Sequence, residues 1–140
     1  MFRQILGITI ATTLAFTPLV QAASPSPEGA RAYIISPADG ERVRSPVKVQ
    51  FGLTGMGVAP AGVDKANTGH HHLLIDLAGD PELGKPLPGD DNHKHFGGGQ
   101  TEVMLELAPG THTLQLMLGD HGHVPHDPPV KSAPITIIVE

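Results

Sequence analysis

Residues 100–118 read QTEVMLELAPGTHTLQLML, and this stretch decides the fold class. Apolar and polar residues alternate from Thr101 to Leu107, and the same alternation returns from His112 to Leu118. A period of two is typical of β-strands that bury one face. The Ala-Pro-Gly-Thr sequence between the two runs, residues 108–111, favours a turn. The stretch therefore predicts a β-hairpin with one apolar face.

The flanking sequence contains further short runs of this kind, separated by proline and glycine. Strands are predicted at residues 32–35, 46–51, 70–77 and 135–139. No window has a sustained helical period, so the chain is predicted to be all-β. Six or more short strands without a helix favour a single immunoglobulin-like (cupredoxin-like) β-sandwich over residues 31–140. A jelly roll or a small barrel is the alternative.

The first 22 residues predict a secretory signal peptide. Arg3 precedes an apolar run over residues 5–20, and Val20-Gln21-Ala22 suits the specificity of a signal peptidase. The run is short for a membrane span. We therefore expect cleavage after Ala22 or Ala23, no membrane insertion afterwards, and a periplasmic or secreted protein. Residues 23–30 are interpreted as a flexible lead-in to the domain.

Charge and cysteine content exclude several classes of protein. The chain has 9 basic and 14 acidic residues and a formal net charge of −5, and signal cleavage would also remove Arg3. This balance argues against nucleic acid or an anionic membrane as a partner. The chain has no cysteine, which excludes disulfides, a lipid anchor on cysteine and a blue-copper centre with a thiolate ligand.

Eight of the nine histidines lie in three short clusters. Imidazole is the commonest metal ligand among side chains. Residues i and i+2 of an extended segment point the same way, so one cluster can offer two imidazoles to one ion. The clusters are His70-His71-His72, the pair His93 and His95, and the group His121, His123 and His126.

The predicted strand directions bring the three clusters to one end of the sandwich. In an antiparallel hairpin, the segment before residue 100 lies beside the segment after residue 118. The strand that begins at His70 is predicted to pair antiparallel with residues 112–118, which places its start at the same end. His112 is then at the opposite end, and His71 is interpreted as a hydrogen-bonded residue that faces the core. The predicted ligands are His70, His72, His93, His95, His121, His123 and His126.

A site of three or four neutral imidazoles suits copper(II), zinc or nickel. We therefore expect a copper or zinc ion as the partner. No organic cofactor is expected, since Gly97-Gly98-Gly99 is not followed by a helix start as a phosphate loop would be. Met56, Met104 and Met117 are the available soft ligands for copper(I), and Met104 and Met117 are expected on the polar face of the predicted hairpin.

The histidine segments carry a family resemblance. The strings AGVDKANTGHHHLLID, HKHFGGGQTEVMLELAPGTHTLQLMLGDHGHVPHDPPV and SAPITIIVE resemble the bacterial secreted family catalogued as domain of unknown function 4399, over residues 56–140. The resemblance implies an exported β-rich domain and brings no established activity. It implies these signature positions: Thr68, Gly69, His70, His71, His72, His95, Phe96, Gln100, Thr101, Glu102, Asp120, His123, Pro125 and His126.

Three functions follow from these observations. The first is a protein that captures or delivers copper or zinc, with binding that weakens below about pH 6.5, where imidazole takes up a proton. The second is a metal-free binding or assembly module of the cell envelope, whose histidines form a hydrogen-bond network and whose partner is another envelope protein. The third, less favoured because no nucleophile is near the clusters, is a metal-dependent enzyme with Glu102 as general base.

Overall fold

The computed structural model describes residues 22–140, and these fold into a β-sandwich, which confirms the all-β prediction. The predicted signal peptide, apart from Ala22, lies outside the described residues. No helix in the described part of the chain is long and apolar enough to cross a membrane. The strands are β1 (Arg31–Ser36), β2 (Arg42–Val43), β3 (Val47–Thr54), β4 (Gly57–Val58), β5 (Thr68–Ile75), β6 (His93–His95), β7 (Glu102–Leu105), β8 (Gly110–Gly119) and β9 (Ile135–Val139).

The strands form two sheets. The smaller sheet has the order β1-β3-β7, and the larger has the order β2-β9-β8-β5. Two short strands share the remaining edge of β5. β4 pairs parallel with its start, where Gly57 is opposite Thr68, and β6 pairs antiparallel further along, where His95 is opposite His72. Strand β5 is therefore an interior strand of the larger sheet.

The main core lies between the two sheets. Val47, Val49 and Phe51 alternate along β3 with more exposed residues, as the sequence predicts, and they are at most 4% exposed. Each large apolar side chain buried in this way contributes about 1.5–3 kcal/mol. The larger sheet supplies the opposite wall of this core, which includes Leu73, Ile75, Leu114, Leu116, Leu118, Ile137 and Val139.

The predicted hairpin over residues 100–118 is wrong. Strand β7 pairs with β3 in the smaller sheet, where Leu105 is opposite Val47, whereas β8 pairs with β5 and β9 in the larger one. The turn between β7 and β8 therefore crosses from one sheet to the other. Alternation indicates only that each strand buries one face, and two strands that face one core from opposite sheets have the same pattern as a hairpin.

A second, smaller apolar cluster lies on the outer face of the larger sheet. Leu74 of β5, Met117 of β8 and Leu87 of the loop after β5 are buried together, and Leu77 packs against them. Met117 is wholly buried, so its predicted position on a polar face is wrong. The loop that carries Leu87 therefore covers part of this outer face instead of extending into solvent.

His112 lies at the opposite end of β8 from Gly119, as predicted. Its Nδ1 is 2.8 Å from Oδ2 of Asp76, and its Nε2 is 2.8 Å from the carbonyl oxygen of Ala108. The hydrogen bond to Asp76 raises the pKa of His112, and the bond to Ala108 adds to this effect. Oδ1 of Asp76 also accepts the backbone N–H of Thr113. The pair therefore ties the end of β5 to the start of β8.

The stability due to this pair should depend on pH. Because the pKa of His112 is raised in the folded state, its contribution is fully present below about pH 6.5 and is lost as the pH rises through the folded value. Asp76 is 41% exposed, so the effect is about 1 kcal/mol or less. Urea unfolding from pH 6 to pH 9 measures this effect. The difference in the free energy of unfolding between wild type and His112→Gln should decrease as the pH rises.

Asp76→Asn is the matched control for this prediction. It keeps an oxygen for the Thr113 N–H and removes only the charge, and asparagine suits the left-handed backbone at this position (φ 56°). When Asp76→Asn is present, His112→Gln should change the free energy of unfolding by the same amount at every pH from 6 to 9. A constant difference between wild type and His112→Gln across the range would contradict the prediction.

Candidate metal centre

Four imidazoles meet on the outer face of the larger sheet, and we call them the four-histidine group. They belong to His70 and His72 of β5, His95 of β6 and His123 of the turn after β8. One ring nitrogen from each lies within 4.8 Å of one ring nitrogen of every other. Neighbouring ring centroids are 4.7 Å apart for His70 with His72 and for His95 with His123. All three sequence clusters therefore contribute to one place.

Strand pairing explains why these side chains converge. His70 and His72 point to the same face because they are two residues apart on a strand. His95 joins them because β6 pairs with β5 in a register that sets it directly opposite His72. His70 is opposite Gly119 at the end of β8, so the chain turns back over the site immediately afterwards.

The buried carboxylate of Asp120 holds this turn and so positions His123. Its Oδ1 accepts the backbone N–H groups of Gly122 (2.9 Å) and Val124 (3.0 Å), and its Oδ2 accepts the hydroxyl of Ser24 (2.9 Å). Burial alone would raise the pKa of Asp120, but these hydrogen bonds outweigh burial and lower it. Asp120 is therefore an ionised anchor, and His123 adopts a left-handed conformation (φ 67°) above it.

Two glycines make room for the packed rings. A Cβ on Gly119 would lie 2.6 Å from Cε1 of His72, and a Cβ on Gly69 would lie 2.6 Å from the carbonyl oxygen of Gly119. Both distances are below any van der Waals contact. Glycine is therefore required at both positions by close approach, and neither has a left-handed φ.

Burial keeps the imidazoles of β5 neutral. His70 and His72 are 0% and 1% exposed. Burial, followed by the neighbouring histidines, lowers the pKa of His70 to about 4 and that of His72 to about 3. Burial, followed by His123, also lowers the pKa of His95. At neutral pH these rings therefore keep a lone pair that is available to a metal ion.

The hydrogen bonds within the group do not satisfy all of its nitrogens. Nε2 of His70 is 3.1 Å from Nδ1 of His123. The Nδ1 atoms of His70 and His72 are buried and have no hydrogen-bond partner among the described residues. An unpaired buried polar group costs about 1–3 kcal/mol. The group is therefore not a closed hydrogen-bond network.

The other three predicted ligands lie near the group and outside it. His93 is two residues from His95 along β6, opposite Leu74, and its Nδ1 is 2.7 Å from Oδ1 of Asp90. Nδ1 of His121 is 3.6 Å from a carboxylate oxygen of Asp64. The remaining one, His126, is buried, and its Nε2 is 3.2 Å from the carbonyl oxygen of Thr68.

His71 faces the core, as predicted, and its ring lies 5.2 Å from that of Phe51. It was also expected to be hydrogen-bonded. Instead it is 0% exposed, and neither of its ring nitrogens has a partner among the described residues. Burial lowers the pKa of His71 to about 4. His71 is therefore a neutral ring held in an apolar environment.

A cavity of 210 Å³ adjoins the four-histidine group. Nothing in the sequence predicted it, because its far wall comes from the long loop before β6. Glu102, considered as a general base, is not in this region: it lies on β7 in the other sheet and forms an ion pair with Lys48 at 3.3 Å. The cavity is lined by His72, His95, His123, Leu87, Pro88 and Gly89.

The fold and this group define a β-sandwich protein with a candidate metal centre on the outer face of one sheet. Residues 49–140 match the family described as a domain of unknown function (DUF4399), and the chain belongs to that family. The resemblance seen in the sequence is confirmed, with a match that begins seven residues earlier than residue 56. Searches of curated proteins and of solved structures gave no match.

Proposed function

We propose that this protein is exported to the periplasm or the exterior and there binds copper(II) or zinc through His70, His72, His95 and His123. The observation that carries the proposal is the convergence of four ring nitrogens within 4.8 Å. Two nitrogens bound to one ion at about 2.0–2.1 Å can be at most about 4.2 Å apart. A pair 4.8 Å apart must therefore close by at least about 0.6 Å on binding, and by about 1.4 Å where the ion is tetrahedral.

The chemistry of the donor set favours these two ions. Four neutral imidazoles suit copper(II), zinc and nickel, whereas calcium and magnesium require oxygen ligands. Copper(II) binds most tightly of the divalent first-row ions to a given nitrogen site. The buried Nδ1 atoms without partners support the same proposal, since metal binding to these rings offsets part of the cost of burying them.

The exposure of the four residues suits a protein that captures or delivers its ion. His70 and His72 are fixed on an interior strand, whereas His95 is exposed and His123 is partly exposed. An ion therefore reaches the site from solvent through His95 and His123. The metal-free envelope module is less well supported, because the single hydrogen bond between His70 and His123 leaves buried nitrogens unsatisfied.

Calorimetry on metal-stripped protein at neutral pH tests the proposal. One equivalent of Cu(II) or Zn(II) should bind to the wild type. His95→Gln should weaken binding by more than the roughly 10- to 100-fold that loss of a ligand's supporting group costs. His95 is exposed, so this variant should fold.

His93→Gln is the matched control, because His93 is on the same strand and the same face but outside the four-histidine group. It should bind metal with wild-type affinity, and so should His121→Gln. Equal losses of metal affinity in His93→Gln and His95→Gln would disprove the proposed ligand set. Absence of uptake of Cu(II), Zn(II) and Ni(II) by the wild type would disprove metal binding itself.

A further inference from the structure

The cavity beside the four-histidine group is placed where an ion would present an open coordination position. Three of its six lining residues are ligands in the proposed site, namely His72, His95 and His123. The fourth ligand, His70, is 0% exposed and does not line the cavity. An ion held by the four would therefore have His70 behind it and would face the cavity on the side formed by the other three.

The electrostatics of the site favour an anion at that position. All four ligands are imidazoles, so a divalent ion keeps its full charge of +2 within the ligand set. The nearest buried carboxylate, Asp120, acts on His70 and offsets part of this charge, but its oxygens are held by Ser24 and by the backbone of its own turn. Leu87 and Pro88 on the far wall bring no charge of their own.

The size of the cavity limits what it can admit. Its volume of 210 Å³ is below the 300–1,000 Å³ typical of sites for drug-sized ligands, and a liquid water molecule occupies about 30 Å³. The far wall is fixed close to the ligands, because the backbone N–H of Leu87 donates to the carbonyl oxygen of His123 at 2.9 Å. The space therefore admits at most about seven water-sized groups, so an anion of two or three heavy atoms fits in it.

We infer that copper(II) bound by the four imidazoles takes a small exogenous anion, of the size of azide, superoxide or hydroperoxide, from this cavity as a fifth ligand. The inference rests on the proposed function, since it requires the ion in place. It assigns the site a second binding partner besides the metal. It also gives the loop around Leu87 a role, which is to shape the space in which that partner binds.

Azide titration of the Cu(II)-loaded protein tests this inference. Azide should produce a saturable azide-to-copper charge-transfer band and a shifted electron paramagnetic resonance spectrum, while pulsed measurements still detect the imidazole nitrogens. Gly89→Phe and Pro88→Phe, on the cavity wall, should each bind copper normally and weaken azide binding by at least tenfold. A Cβ at Gly89 meets no atom within 4 Å, so Gly89→Phe should not strain the fold.

Gly79→Phe is the matched control, because a Cβ there also meets nothing and Gly79 does not line the cavity. It should leave azide binding unchanged. Copper uptake with spectra that azide does not alter would overturn the inference and leave the metal site standing. Unweakened azide binding in both wall variants would also overturn it. A failure to bind copper at all would refute the proposed function, and the inference with it.

Discussion

Metal-free protein should lose stability steadily as the pH falls from about 6.5 toward 4. Burial lowers the pKa of His70 and His71 to about 4 and that of His72 to about 3, whereas the unfolded chain takes up protons near 6.5. Unfolding in this range therefore binds protons, and stability decreases as the pH decreases. His71 alone accounts for on the order of 3 kcal/mol, a large part of the 5–15 kcal/mol typical of a domain.

Urea unfolding at a series of pH values, with a chelator present, measures this loss. His71→Leu is the informative variant, since it removes one buried imidazole from the core side and leaves the four-histidine group intact. It should be at least as stable as wild type at pH 7, because two unsatisfied nitrogens disappear. Its free energy of unfolding should also decrease less steeply than that of wild type as the pH falls. A decline parallel to that of wild type would contradict this account.

Gly119→Ala should disrupt the candidate metal centre without removing a proposed ligand. The added Cβ would lie 2.6 Å from Cε1 of His72 and 3.3 Å from Cα of His123, so both the ring and the backbone must move. Overpacking of this kind destabilises by about 1–3 kcal/mol. Because two of the four ligands are displaced, we expect metal affinity to fall at least tenfold, measured by calorimetry beside thermal unfolding.

Gly57→Ala is the matched control in the same sheet. Gly57 lies on β4, and a Cβ there would only contact Cγ2 of Thr68 at 3.7 Å, an ordinary distance. This variant should bind metal as wild type does and unfold at nearly the same temperature. If Gly119→Ala behaved in the same way, the packing around His72 would have no role in shaping the site.

The sequence predicted the positions of the strands better than it predicted how the strands pair. Val47, Val49 and Phe51 are buried as their alternation indicated, and the last strand occupies the predicted residues 135–139. The pairing of β7 with β8 was wrong because a period of two carries no information about which sheet a strand joins. Residues 108–111 contain turn-forming residues, which serve a hairpin or a crossing between sheets equally well.

The three histidine clusters were predicted to converge at one end of the sandwich, and one or two histidines of each do converge, on the outer face of the larger sheet. Four of the seven predicted ligands form this group, and one of the two premises of the prediction was wrong. The antiparallel pairing of β5 with β8 is present, and it places His70 opposite Gly119. His95 arrives through β6, a strand of three residues too short to recognise from its sequence. The two-residue spacing predicts that His93 and His95 point to the same face. It does not show which of them lies beside His72, because that depends on the register between β6 and β5, which is a tertiary property.

Strand β5 is buried on both of its faces, through all of residues 69–75. One face anchors the core and the other carries half of the four-histidine group, so under the proposed function loss of the ion and loss of the fold would be coupled. An ion that binds only the folded chain adds stability in proportion to the logarithm of its concentration. For a protein exported as proposed, the metal supply outside the cytoplasm would then set its lifetime, which would be long where metal is plentiful and short in acid or among proteases where metal is scarce.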